Sequence, residues 1–137
     1  MQHGLMDAAD AFVMNWADVA PAFVTSRAGY DVWMGNTRGN TYSRAHLTLD
    51  PDYNKKKFWA FDFSEMGTYD IPANLDYITE LTGVEKVSYI GHSQGTTQMF
   101  FGLSEFEDYY ASKVNLFVAL GPVTVITGDT GYMYSIA

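Results

Sequence analysis

Apolar positions along the chain switch between helical spacing and short continuous runs. Val19, Ala20, Phe23 and Val24 share one helical face, with Pro21 in the first turn and Gly29 as the stop. Tyr30–Met34 then reads as a short strand ending at Gly35, and residues 36–52 as a long polar loop. A second helix is predicted from Asp70 as N-cap, with Pro72 in its first turn, Ile71, Leu75, Ile78 and Leu81 on its apolar face, and Gly83 closing it. Val87–Ile90 is a predicted strand. A helical pattern follows through Met99, Phe100 and Leu103, and Val114–Leu120 is the nearly continuous apolar run of a parallel strand covered on both faces. Strand, helix, strand, helix, strand predicts an α/β fold with a central, mostly parallel sheet and helices on both faces.

Composition narrows the function classes. The chain has 137 residues, 47% of them hydrophobic and 16% aromatic, which suits one packed domain and excludes disorder. A net charge of −8 argues against nucleic acid as a partner. There is no cysteine, hence no disulfide, no Cys-ligated metal and no Cys nucleophile, and no metal site is expected. No apolar run is long enough for a transmembrane segment, and the first residues show no signal-peptide pattern. Lys55-Lys56-Lys57 reads as a solvated loop. Trp33, Tyr42, Phe58 and Trp59 read as core aromatics rather than as a binding surface.

The chemistry centres on Gly91-His92-Ser93-Gln94-Gly95. An apolar strand runs into this Gly-x-Ser-x-Gly sequence and a helical pattern leaves it, the setting of a nucleophile elbow. Ser93 is the candidate nucleophile, held on a strained turn. Gly91 and Gly95 remove side chains that would collide with the adjoining strand and helix. Such a turn takes one oxyanion donor from the amide after the nucleophile, here Gln94, and another from a His-Gly-type loop upstream. Gln2-His3-Gly4-Leu5 supplies that loop, with Leu5 as the second donor. His92, beside the serine on a tight turn, is expected to point elsewhere and pack structurally.

Those segments, together with Gly29–Arg44 (which contains Gly-Asn-Thr-Arg-Gly-Asn), Phe58–Phe61, Glu65-Met66 and Tyr69–Ala73, resemble the acid lipases, the gastric and lysosomal family, over almost the whole chain. The resemblance implies an α/β-hydrolase fold and hydrolysis of neutral lipid esters, triacylglycerols or cholesteryl esters, at a lipid–water interface. It implies no cofactor, a secreted or lysosomal location, and the roles given above to Ser93, Leu5 and Gln94. It leaves the oligomeric state open.

One part of the machinery is missing. The histidines are His3, His46 and His92, all upstream of Ser93, whereas the order for this fold is Ser, then Asp or Glu, then His. His46 reads as a solvated loop residue, and Asp129 falls too early for the acid. No acid or base is therefore assigned in this chain. Residues 1–137 are expected to be a single partial α/β-hydrolase core, from the oxyanion loop through the elbow to the following strand. The cap domain and the C-terminal triad region are expected to be absent, and the chain to be inactive alone. The alternative is a non-catalytic, lipase-derived remnant that binds a lipid or a protein.

Overall fold

A computed structural model describes residues 1–125; Asp129 lies outside the described residues. A 3₁₀ turn at Ala9–Phe12 precedes α1 (Pro21–Arg27) and α2 (Lys55–Phe58). A continuous helical rod follows, made of α3 (Phe63–Glu65), a π turn (Met66–Asp70) and α4 (Ile71–Thr82). Strand β1 (Val87–His92), helices α5 (Gln94–Glu105) and α6 (Glu107–Lys113), and strand β2 (Val114–Leu120) complete the order.

β1 and β2 pair in parallel, from Val87↔Val114 to His92↔Leu120. On the other side of β1, Gln2 forms parallel bridges to both Gly91 and Gly35. The sheet therefore runs as residues 33–35, residues 1–2, β1 and β2, all in one direction, and the helical connections between them make this an α/β fold. The Gln2 amide donates to Ile90 O at 2.8 Å and the His92 amide to Gln2 O at 3.0 Å, which seats the N-terminal segment directly beside the elbow strand.

The core lies where α4, α5 and α6 meet the sheet: Ile71, Leu75, Tyr89, Met99 and Tyr110 are buried together, with Phe117 against them. Tyr110 fits because residue 102 is glycine; a Cβ there would overlap its ring. The other side of β2 is less covered. Leu116 is 55% and Leu120 43% exposed, so the apolar run of this strand is not buried on both faces as its pattern predicts. A cavity of about 550 Å³ opens on that side, lined by Val32, Ile78, Val84, Ile90, Leu116 and Val118.

Several local expectations need correction. Asp70 does not cap α4. The rod starts earlier, where Asp62 and Glu65 form a reciprocal capping box, and the Asp70 carboxylate binds Arg38 instead. Residues 30–34 are extended but form no strand, because only Met1–Gln2 run alongside them among the described residues. The lysine run is solvent-exposed as expected, yet it sits on α2 rather than in a loop. Of the four aromatics read as core, only Phe58 is buried; Tyr42 is exposed, Trp59 lies open at 40%, and Trp33 is half-buried edge-on to Tyr77.

Candidate active site

The chain reverses direction at a single residue. β1 pairing ends at His92, the Ser93 amide bonds to Leu120 O at 2.9 Å, and α5 begins at Gln94. Ser93 accordingly adopts φ 51° and ψ −119°, a conformation that costs a non-glycine residue on the order of 1–3 kcal/mol. The surroundings over-determine it. Its carbonyl accepts the Thr96 amide at 2.8 Å and the Thr96 hydroxyl at 2.6 Å. Thr96, fully buried, in turn accepts the Val123 amide at 3.0 Å. From below, the buried Tyr89 hydroxyl donates to Gly95 O at 2.9 Å; burial, with Tyr110 nearby, pushes this phenol's pKa up and keeps it a donor.

The elbow glycines are required by backbone rather than by side chains. A Cβ on Gly91 would lie 2.8 Å from the Gly95 carbonyl carbon and oxygen. A Cβ on Gly95 would lie 2.5 Å from Gln2 O and 2.8 Å from His3 O. The Gln2–Gly4 segment thus lies directly on the first turn of α5. Gly4 is the point of nearest approach to the serine: a Cβ there would be 3.1 Å from Ser93 Cβ. Beyond it the chain turns at Leu5–Met6, with Met6 in the left-handed region at φ 57°.

Ser93, Gly91, Gly95 and the Gln2–Leu5 loop are therefore brought together, and Gln94 is the first residue of α5. Among the described residues, no protein acceptor takes the Leu5 or Gln94 amide, and no side chain bonds to the Ser93 hydroxyl. Ser93 does not line the 550 Å³ cavity, which borders the opposite, N-terminal end of β1.

The histidines are occupied elsewhere. His92 is exposed beside Gly4 rather than packed in the interior, because strand alternation turns it to the open side of the sheet. The His46 Nδ1 accepts the Thr48 and Leu49 amides at 3.1 and 3.0 Å, closing an exposed loop turn. His3 is only 2% exposed; its Nδ1 lies 2.8 Å from Gly4 O, and its Nε2 meets the Thr37 amide at 3.3 Å and Asn40 Nδ2 at 3.1 Å.

That last network was not legible as chemistry in the sequence. Asn36 Oδ1 accepts Asn40 Nδ2 at 2.7 Å and the Ala9 amide at 3.0 Å. Arg38 grips Asp70 through Nε at 2.8 Å, a terminal nitrogen at 2.6 Å and its own backbone amide at 2.8 Å, and its guanidinium lies over the Phe61 and Tyr69 rings. Gly39, at φ 83°, passes where a Cβ would strike Trp59 and Phe61. The sequence marked this stretch by its density of Gly, Asn and Arg without apolar period and by the resemblance it carries, but not by any of these contacts. Among the described residues no cluster of His, Asp or Glu could hold a metal ion, and no helix is long and apolar enough to cross a membrane.

The family described as "alpha/beta hydrolase fold" matches residues 1–133. The chain is 44% identical over 133 residues to the human lysosomal acid lipase/cholesteryl ester hydrolase, covering 97% of this chain and 33% of that protein. It is 46% identical over 126 residues to the gastric triacylglycerol lipase of Mus musculus, covering 92% of this chain and 31% of the relative. It is 44% identical over 133 residues to lipase lipl-3 of Caenorhabditis elegans, covering 97% and 32%. The chain spans about a third of the length of these relatives. With its strained serine between two backbone-crowded glycines, the chain belongs to the α/β-hydrolase family.

Proposed function

We propose that this chain is the nucleophile-bearing part of a serine carboxylic ester hydrolase acting on neutral lipid esters, triacylglycerols or steryl esters, at a lipid–water interface. The observation that carries the reading is Ser93 at φ 51°, wedged between the Gly4 backbone and the start of α5. Ser93 Oγ attacks the ester carbonyl, and the tetrahedral oxyanion takes hydrogen bonds from the Leu5 and Gln94 amides. The N-terminus of the twelve-residue α5 adds positive potential there. The scheme needs no cofactor.

A serine hydroxyl attacks slowly until a positioned base accepts its proton. His3 spends both ring nitrogens on backbone and amide partners, His46 closes a loop, and His92 shares no hydrogen bond with Ser93 among the described residues. We therefore place the base, the carboxylate that orients it and the cap outside these residues, and read 1–137 as one partial core. Kinship favours a secretory or lysosomal compartment.

The test supplies the base chemically. Alone, the chain should hydrolyse short-chain nitrophenyl esters no faster than Ser93→Ala. With added imidazole, a p-nitrophenyl alkylphosphonate should label Ser93, its oxygen attacking phosphorus as nitrophenolate leaves, and peptide mass mapping should find nothing in Ser93→Ala. No label on Ser93 at any imidazole concentration overturns the nucleophile assignment. Ser93-dependent ester turnover without imidazole overturns the placement of the base.

A further inference from the structure

We propose that His3, held by Asn40 and the Thr37 amide, is a positioning residue that sets the orientation of the Gly4–Leu5 peptide beside Ser93. The proposal rests on the hydrolase reading only for its consequence on rate; the structural claim stands on hydrogen-bond geometry.

The chain of reasoning begins at Asn40. Its Oδ1 accepts the Tyr42 amide at 3.0 Å, so the group facing His3 is the Nδ2 donor. The Thr37 amide, which can only donate, points at the same His3 Nε2. Two donors on one ring nitrogen require that Nε2 carry its lone pair. The ring proton then resides on Nδ1 and is donated to Gly4 O at 2.8 Å.

Gly4 C=O and Leu5 N–H belong to one planar trans peptide and point to opposite sides of it. Holding the carbonyl toward His3 therefore turns the Leu5 N–H away from His3. That amide is one of the two oxyanion donors in the reading above, and it has no protein acceptor among the described residues. The far end of the same loop is fixed by the same cluster, since Asn36 Oδ1 receives both Asn40 Nδ2 and the Ala9 amide. The exposed Leu5–Met6 turn, with its left-handed Met6, is thus strung between two anchored ends. An oxyanion donor works only if it is preorganised, and this cluster does the preorganising from behind.

The experiment uses ¹⁵N-histidine-labelled chain, dilute and mildly alkaline, with exchange of the Leu5 amide and imidazole-assisted phosphonylation of Ser93 as further readouts. The wild-type ring of His3 should show the Nδ1–H tautomer. A ring protonated on Nε2 overturns the proposal without any variant being made. In Asn40→Ala the Thr37 amide still points at Nε2, so the ring should keep its Nδ1–H tautomer, while the Leu5 amide should exchange faster and phosphonylation should slow on the order of tenfold. His3→Phe keeps a planar aromatic ring but removes the donor, and should slow it about 10²-fold, near the loss of a whole oxyanion donor. A merely structural role would leave the Leu5 exchange unchanged in both variants, and that outcome overturns the proposal. If wild-type Ser93 takes no phosphonate, the hydrolase reading falls while the ring spectrum still decides the clamp. Equal labelling rates in all three proteins reject the clamp and leave the hydrolase reading intact.

Discussion

Gly95→Ala isolates the contact on which the site depends. In an ordinary helix the change would stabilise, since alanine is favoured over glycine by about 0.5–1 kcal/mol in helix interiors. Here the new methyl would stand 2.5 Å from Gln2 O, 2.8 Å from His3 O and 3.1 Å from Gln2 C. All three atoms are backbone, so no rotamer change relieves the overlap. Gln2 is itself tied into the sheet by the bonds to Ile90 O and from the His92 amide. Overpacking costs about 1–3 kcal/mol, and each ladder bond lost about 0.5–1.5 kcal/mol. Allowing for the helix-propensity gain, the net destabilisation is about 2–4 kcal/mol. At roughly 3–4 °C per kcal/mol for a chain of this size, Tm should fall by about 6–16 °C. Circular dichroism melts at low micromolar concentration would measure it, and hydrogen exchange should show the His92 amide losing protection. Gly83→Ala is the control: its φ is +74° but nothing lies within 4 Å of the new Cβ, so only about 1–2 kcal/mol of backbone strain is expected. A Gly95→Ala protein as stable as wild type would refute the idea that the N-terminal loop is seated on α5.

Thr96→Val keeps the shape but strips the hydroxyl that joins Ser93 O to the Val123 amide; urea titration should show a loss of about 1–3 kcal/mol, and an unchanged midpoint would deny the elbow its anchor. Asp76 is held below the usual carboxylate range chiefly by its hydrogen bond with Lys113, at 2.9 Å, so its contribution is present above the unfolded pKa and disappears as pH falls through the folded one. The pair is partly exposed and screened by solvent, so Asp76→Asn should cost under about 1 kcal/mol at neutral pH and nothing in strong acid; equal losses at both pH values would contradict this. β2 has no second neighbour among the described residues and presents Leu116 and Leu120 to solvent, so the chain should self-associate as its concentration rises. Sedimentation velocity would reveal it, and a monodisperse monomer at high concentration would argue otherwise.

Periodicity and local chemistry were enough for the α/β class, the two paired strands, the end of α4 at Gly83 and the elbow around Ser93. These depend on neighbours in sequence: a strand of alternating burial, a tight turn that needs its flanking glycines, a helix that stops at a left-handed residue. Residues far apart in sequence decided the rest. Asp70 carries the signature of an N-cap, but its carboxylate binds the Arg38 guanidinium and backbone amide rather than the amides of α4, and the helix begins elsewhere. Whether residues 30–34 pair as a strand and whether both faces of β2 are buried depended on how much chain lies against them, which no pattern within those segments encodes. His3 looked like half of a loop motif. Only the fold placed Thr37 and Asn40 against one of its nitrogens and Gly4 against the other, because a hydrogen bond across more than thirty residues leaves no periodic trace in the chain.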